Sequence, residues 1–322
     1  MQDFIQQANQ YGQEKCPFFF LIDFEQQKPI IFPLAQANQH ALQFVFPHLA
    51  IQECINVERK FTFQPIPLDY PRYQAAFNFV QREIQKGNSY LLNLTFPTEI
   101  KTNYRLDEIF AASHAKYKCY LAEKFVCFSP ECFIKIQHNK IYSYPMKGTI
   151  NAAEEHAKEK LLNSTKEFSE HNTIVDLIRN DLALVAENIQ VTKYRYVEKI
   201  HTHRGAIYQT SSEICGDLGE YWQKNIGSIL AKLLPAGSIS GAPKAKTVEI
   251  IQQAEQQERG YYTGIFGYFD GENLESAVAI RYIEQQDEQL FFRSGGGITF
   301  LSQLDEEYNE ILEKVYVPIS TL

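Results

Sequence analysis

Two segments of this chain carry carboxylates at helical spacing. In Lys166-Glu167-Phe168-Ser169-Glu170-His171, Glu167 and Glu170 stand three residues apart, so both leave one face of the first turn of a helix continuing through Ile174, Val175, Leu177, Ile178 and Leu182. The helix dipole favours negative charge at that end, so a solvated first turn is the simpler reading of this pair alone. In Leu304-Asp305-Glu306-Glu307-Tyr308-Asn309-Glu310-Ile311-Leu312-Glu313-Lys314-Val315, the residues Leu304, Tyr308, Ile311 and Val315 form an apolar stripe bordered by Glu307, Glu310 and Lys314. Glu306, Asn309 and Glu313 point away from it. Two such pairs meeting would make an all-oxygen site for a hard divalent cation, with Mg²⁺ the natural candidate.

Between the acid segments lie residues suited to holding a small acid. Gly237-Ser238-Ile239-Ser240-Gly241-Ala242-Pro243-Lys244 precedes a helix predicted from about Ala245 to Gln256, and backbone N–H groups at such a turn can seat an anion. It lacks the Gly-x-x-x-x-Gly-Lys-Ser/Thr spacing of a nucleotide loop. Arg281 interrupts what reads as an apolar strand, Ala277-Val278-Ala279-Ile280-Arg281-Tyr282, so its guanidinium needs a carboxylate, a phosphate or an exposed edge. Gly295-Gly296-Gly297 allows close backbone approach of a ligand, or forms a bulged turn. Lys147 ends a predicted strand just before Gly148; a lysine in a dry site beside a cation can act as a nucleophile, whereas an exposed one is inert. Glu131, in Ser129-Pro130-Glu131, offers an acid at a similar strand edge.

These groups need a scaffold. A helix is expected from about Tyr70 to Lys86, with Tyr73, Phe77, Val80 and Ile84 at helical spacing and Gly87 closing it. Strands are expected at 90–96, 118–128, 132–137 and 140–145, with a short helix over 104–117. Residues 1–62 read as a few strands (18–22, 30–32, 44–46) joined by polar turns. No repeat or low-complexity linker divides the chain, so residues 1–62 and a catalytic region 63–322 are expected to interlock. Strand-rich and helical stretches alternate, giving a mixed α/β (α+β) class with largely antiparallel pairing.

Composition narrows the function classes. The 322 residues carry 31 Lys plus Arg against 39 Asp plus Glu, a formal charge of −8, which disfavours nucleic acid as a partner. No apolar run approaches the ~18 residues of a membrane span, and Met1-Gln2-Asp3 opens without a basic region and apolar core, so the cytoplasm is the expected compartment. Cysteines 16, 54, 119, 127, 132 and 215 form no C-x-x-C pair; all are expected to be core thiols, with 16 and 54 the most exposed.

Taken in order, Ser129-Pro130-Glu131, Pro145 to Thr149, Lys166 to Asp181, Pro235 to Lys244, Arg259 to Gly267, Ala279 to Arg281 and Gly295 to Lys314 resemble the chorismate-utilising enzymes: component I of anthranilate and aminodeoxychorismate synthases, and isochorismate and salicylate synthases. The likeness is collinear over residues 65–322. It implies two packed, largely antiparallel sheets between outer helices. It also implies Mg²⁺ held by Glu170 and Glu310, with Glu167 and Glu307 positioning its waters. Arg281 and Tyr262 would bind the enolpyruvyl carboxylate with Ser238 and the backbone at Gly295 and Gly297, while Lys314, Gly148 and Thr149 would contact the ring or its carboxylate.

Within that family, aminodeoxychorismate synthases resemble this sequence in having lysine at the position of Lys147, where anthranilate synthases usually have alanine. The implied chemistry is attack of Lys147 on C2 of chorismate with Glu131 as general acid, then displacement by ammonia to 4-amino-4-deoxychorismate, a precursor of 4-aminobenzoate and folate. Anthranilate synthase component I and a non-catalytic chorismate-binding scaffold subunit are the alternatives. Leu91 stands where many members have glutamine and isochorismate synthases their base lysine, and Gln209 where many have histidine. No Leu-Leu-Glu-Ser tryptophan-binding segment occurs. No Gly-x-Cys-x-Gly turn for glutamine hydrolysis occurs either, so a separate amidotransferase subunit is the expected source of ammonia.

Overall fold

The computed structural model describes residues 1–53, 55, 57–202 and 205–319, with the side chains of Lys166, His201 and Thr202 left aside. Among these residues, two nine-stranded sheets carry the fold. The first runs, in spatial order, Met146–Asn151, Gly205–Asp217, Lys140–Ser143, Cys132–Gln137, Leu274–Val278, Ile265–Phe269, Phe18–Ile22 and Ile30–Pro33, with Glu187–Thr202 also paired to Gly205–Asp217. The second runs Gly241–Ala242, Leu91–Thr102, Gln289–Thr299, Tyr282–Gln286, Phe125–Ser129, Tyr117–Leu121, Leu42–Phe46 and Leu49–Ile51, with Phe63–Pro65 beside Leu91–Thr102. The pairings are antiparallel. The mixed class with two antiparallel sheets is therefore the architecture observed.

Phe18–Ile22 shows how the layers form. All five residues are buried, and alternate side chains of a strand face opposite ways. Phe19 and Leu21 enter an aromatic layer shared by both sheets, with Phe44, Phe46, Tyr117 and Phe266, while Phe18, Phe20 and Ile22 meet the helical layer. The Phe19 ring stacks on Phe44 at 4.4 Å between centroids. Truncating such a side chain to alanine costs about 3–5 kcal/mol.

Residues 1–62 join both sheets. Phe18–Ile22 pairs with Ile265–Phe269, and Leu42–Phe46 with Tyr117–Leu121. Their first element, however, is a helix, Gln2–Gln13, that the strand reading missed. Its buried residues are Phe4, Ala8 and Gly12, a stripe at spacing four in which two members are barely hydrophobic. Gly12 is required by packing: a Cβ there would lie 2.0 Å from the Gln223 carbonyl oxygen.

Helix Tyr70–Gln85 follows the predicted pattern. Asp69 caps it by accepting the Arg72 N–H at 3.3 Å, and Tyr73, Phe77, Val80 and Ile84 are buried. The single strand expected over 118–128 is instead two, Tyr117–Leu121 and Phe125–Ser129, because Glu123 takes a left-handed φ of 58° and the Lys124 N–H returns to Leu121 at 3.0 Å. Cys119, Cys127, Cys132 and Cys215 are buried and Cys16 is half-buried, as expected; Cys54 lies outside the described residues. No helix among the described residues is long and apolar enough to cross a membrane.

Candidate functional site

The predicted residues come from both sheets, from two helices, Thr165–Leu182 and Leu304–Glu313, and from the turns between elements. Lys147 is not at a strand end, as the sequence suggested, but the second residue of Met146–Asn151 on the edge of the first sheet. Gly148, at φ +77°, produces a bulge that shifts the register between Lys147 and Thr149. The bulge re-aims the chain at Lys147. Its backbone is fixed by the Thr210 hydroxyl, which donates to the Lys147 carbonyl.

The second sheet supplies the facing surface. Gly295, Gly296 and Gly297 lie within strand Gln289–Thr299, where Gly297 pairs with Asn93 and Thr299 with Leu91; they form a regular strand and no bulged turn. A Cβ at Gly297 would stand 3.6 Å from Lys147 Nζ and 3.2 Å from Leu91 Cδ1. One at Gly296 would stand 3.2 Å from Glu307 Oε2 and 3.6 Å from Glu310 Oε1. The absent side chains thus make room for an amine on one glycine and two carboxylates on the next.

Helix Leu304–Glu313 presents its acids as the 3.6-residue period required. Ile311 and Glu307 are buried, while Glu306, Asn309 and Glu313 are exposed. Glu307 accepts the Ser302 hydroxyl at 2.7 Å. Lys314 bridges Glu310 Oε1 at 2.6 Å and the Gly295 carbonyl at 2.9 Å. Burial lowers the Lys314 pKa, opposed by Glu310 and reinforced by Arg281 and Lys147.

Helix Thr165–Leu182 brings the other acids. Ser164 caps it through the Glu167 N–H at 3.3 Å, and Glu167 and Glu170 are half-buried on successive turns. A Cβ at Gly148 would fall 2.6 Å from Glu167 Oε2, so the bulge glycine also makes room for a carboxylate. The donor set is all oxygen, which suits Mg²⁺. Among the described residues, no group of three or more His, Cys, Asp or Glu side chains is placed to hold a metal ion.

Glu131 immediately precedes strand Cys132–Gln137, and the Ser238 hydroxyl donates to its Oε1 at 2.6 Å. Burial raises its pKa, against the lowering pull of that bond and of the Lys147 and Arg281 charges. Ser238 sits in the short turn Gly237–Ile239, and the following helix spans Lys244–Glu255 as the glycine loop suggested. Tyr262 is 3 % exposed and its phenol is pushed up to about 12 by burial, keeping it a neutral donor.

Arg281 corrects one expectation. It does not interrupt a strand; it occupies the break between Leu274–Val278 and Tyr282–Gln286 in a left-handed conformation, φ +52°. Its guanidinium lies 5.4 Å from the centre of the Tyr316 ring, and its buried Nε has no hydrogen-bond partner. None of the described ion pairs includes it.

Lys147, Glu131, Arg281, Lys314, Glu307 and Glu310 are therefore linked by contact or by mutual charge effects, whereas Thr149 is exposed at the margin. Residue-by-residue reading missed His171, Ser212 and Thr210. His171 is fully buried and continues the apolar stripe of Ile174, Val175 and Ile178, a signal available from spacing alone. A groove of about 440 Å³ near Tyr221 and Trp222 shares no residue with this cluster.

The chain is 62% identical over 321 residues to a "PabA-like protein" of Pasteurella multocida, covering 98% of each. It is 33% identical over 262 residues to aminodeoxychorismate synthase component 1 of Escherichia coli, covering 76% of this chain and 56% of that one. Its fold matches the menaquinone-specific isochorismate synthase of Escherichia coli with a TM-score of 0.72 at 16% identity, over 97% of this chain and 80% of the other. Residues 35–320 match the family model described as chorismate binding enzyme, and the chain belongs to that family.

Proposed function

We propose that this chain is an aminodeoxychorismate synthase component I, adding ammonia at C4 of chorismate through a covalent Lys147 adduct. The observation that carries the reading is the amine itself: Lys147 Nζ stands 3.6 Å from the Cβ position of Gly297, on the facing sheet, beside an acid whose pKa burial has raised. The Lys147 amine of one sheet thus faces a glycine of the other, and its charge acts on Glu131.

In this mechanism Arg281 and Tyr262 bind the enolpyruvyl carboxylate, with Ser238 and the backbone of Gly295 and Gly297 around it. The unpartnered Arg281 Nε supplies a charged donor for that anion. Lys147 attacks C2 as the C4–O bond breaks, and protonated Glu131 gives its proton so that water departs. Ammonia then forms the C4–N bond while the C2–Nζ bond breaks, returning free Lys147 and releasing 4-amino-4-deoxychorismate. A carboxyl held above its ordinary pKa retains the proton this step consumes.

Glu170 and Glu310 would hold Mg²⁺, with Glu167 and Glu307 orienting its waters and the substrate carboxylate completing the set. When bound, the ion would anchor that carboxylate and draw electron density from the ring. Lys314, Gly148 and Thr149 would contact the ring or its carboxylate. Ammonia would come from a separate glutamine amidotransferase, and the product would feed 4-aminobenzoate and folate synthesis.

The test is incubation of the chain with chorismate, Mg²⁺ and ammonium, followed by product identification and mass analysis of Lys147. The reading requires 4-amino-4-deoxychorismate and a trapped lysine adduct. Anthranilate as the main product would overturn it in favour of the other synthase, and no turnover would leave a chorismate-binding scaffold.

A further inference from the structure

Ser212 is a junction of three chain segments beside the lysine strand. Its Oγ lies 2.6 Å from His171 Nε2 on helix Thr165–Leu182 and accepts the Arg195 N–H of strand Glu187–Thr202 at 2.9 Å. Its own N–H donates to the Pro145 carbonyl at 2.9 Å, two residues before Lys147. Two residues earlier on the same strand, the Thr210 hydroxyl holds the Lys147 carbonyl. The helix that carries Glu167 and Glu170 is therefore tied, through one imidazole, to the strand that carries Lys147.

Several features point to a built contact. Arg195 reaches Ser212 because the Glu187–Thr202 strand shifts register between Lys193 and Tyr196, and Arg195 adopts φ +45° there. Its guanidinium bonds the Leu161 and Leu162 carbonyls at 3.2 and 3.1 Å and lies 5.1 Å from the centre of the Phe168 ring, bracing the acid helix from its other side. His171 is 0% exposed, and its Nδ1 is buried with no hydrogen-bond partner. An apolar residue would pack there, edge-on to the Tyr194 ring, without that orphaned nitrogen, so what the imidazole adds is its hydrogen bond to Ser212.

We propose that His171 is a positioning residue: its bond to Ser212 fixes the register of the Glu167/Glu170 helix against the Lys147 strand, so that acids and amine address the same substrate. The proposal rests on the reading of Lys147 as nucleophile, but its structural half is measurable without turnover.

The experiment uses the full chain with His171→Ala, His171→Gln, Ser212→Ala and the His171→Ala/Ser212→Ala pair. Glutamine can bring an amide to the position of Nε2. Amide hydrogen exchange over 145–151 should quicken at least tenfold in His171→Ala and Ser212→Ala and return to within threefold of wild type in His171→Gln. Calorimetric titration with Mg²⁺ in the presence of chorismate, without ammonium, should show affinity weakened about tenfold and restored by glutamine. In turnover, kcat should fall about thirtyfold with the chorismate KM within twofold, and the double variant should be no worse than the poorer single, as for two ends of one bond. Unchanged exchange at 145–151, or additive losses in the double variant, would overturn the tie. If His171→Ala fails to fold, Ser212→Ala and His171→Gln decide by the same readouts. If wild type makes no 4-amino-4-deoxychorismate while exchange and Mg²⁺ binding respond as stated, the amination reading fails and the tie stands.

Discussion

Two arginines in this molecule meet opposite fates. Arg259 is 1 % exposed and spends its donors inside the protein: Nε and Nη2 on the Glu255 carboxylate at 2.9 and 2.6 Å, and further bonds to the carbonyls of Ile239 and Asn93 at 2.9 and 2.6 Å. Glu255 also accepts from the Thr95 N–H and hydroxyl, so the knot joins strand Leu91–Thr102 to helix Lys244–Glu255 and the Ser238 turn. Arg281 faces a tyrosine ring and leaves Nε buried and unpartnered. A satisfied buried charge holds structure, whereas an unpartnered donor is open to an outside anion.

That contrast can be broken in order of effect. Lys147→Ala, on the Arg281 side, should lower amination on the order of 10³-fold or more while the melting temperature stays within a few degrees. Retained turnover would remove the covalent step. Glu255→Ala should do the reverse, stranding Arg259 at a cost of about 3–5 kcal/mol in urea unfolding; a loss under about 1 kcal/mol would show that the knot is dispensable.

Glu131→Gln should lower kcat about 10²–10⁴-fold. In the proposed mechanism the protonated form is the active one, and burial raises its pKa, so the rate should hold at low pH and fall as pH rises through that raised value. The glutamine variant should lack this limb in a pH–rate profile. Arg281→Met should raise the chorismate KM about tenfold to a hundredfold, the value of one or two charge-assisted bonds, with unfolding free energy nearly unchanged. An equal loss of stability would place Arg281 with Arg259.

Gly297→Ala should be the mildest. Its methyl would press on Leu91 at 3.2 Å, shifting it by tenths of an ångström, and would come into ordinary contact with the Lys147 amine at 3.6 Å. A several-fold drop in kcat without a stability change is expected, because reacting groups are sensitive to small misplacement. Loss of folding instead would make the glycine row a packing device.

Much of this was legible along the chain. The acid pairs, the stripe of Leu304, Tyr308, Ile311 and Val315, and the capped Tyr70–Gln85 helix depend on neighbours within a turn or two, and local period exposes them. The N-terminal helix escaped because its buried stripe is partly alanine and glycine. The break at Arg281 escaped because apolar residues flank it on both sides. The role of His171 was hidden because its partner lies 41 residues away, although its place on the apolar face was visible.

Residue order by itself determined the family resemblance, the mixed class with antiparallel sheets and the residue types able to do the chemistry, since these follow from motif order and short-range period. Tertiary structure alone decided which glycine faces which charge, which arginine is satisfied, and which helix is tied to the lysine strand. Those outcomes depend on sheet register and on desolvation, and both arise only when distant strands come to lie beside one another.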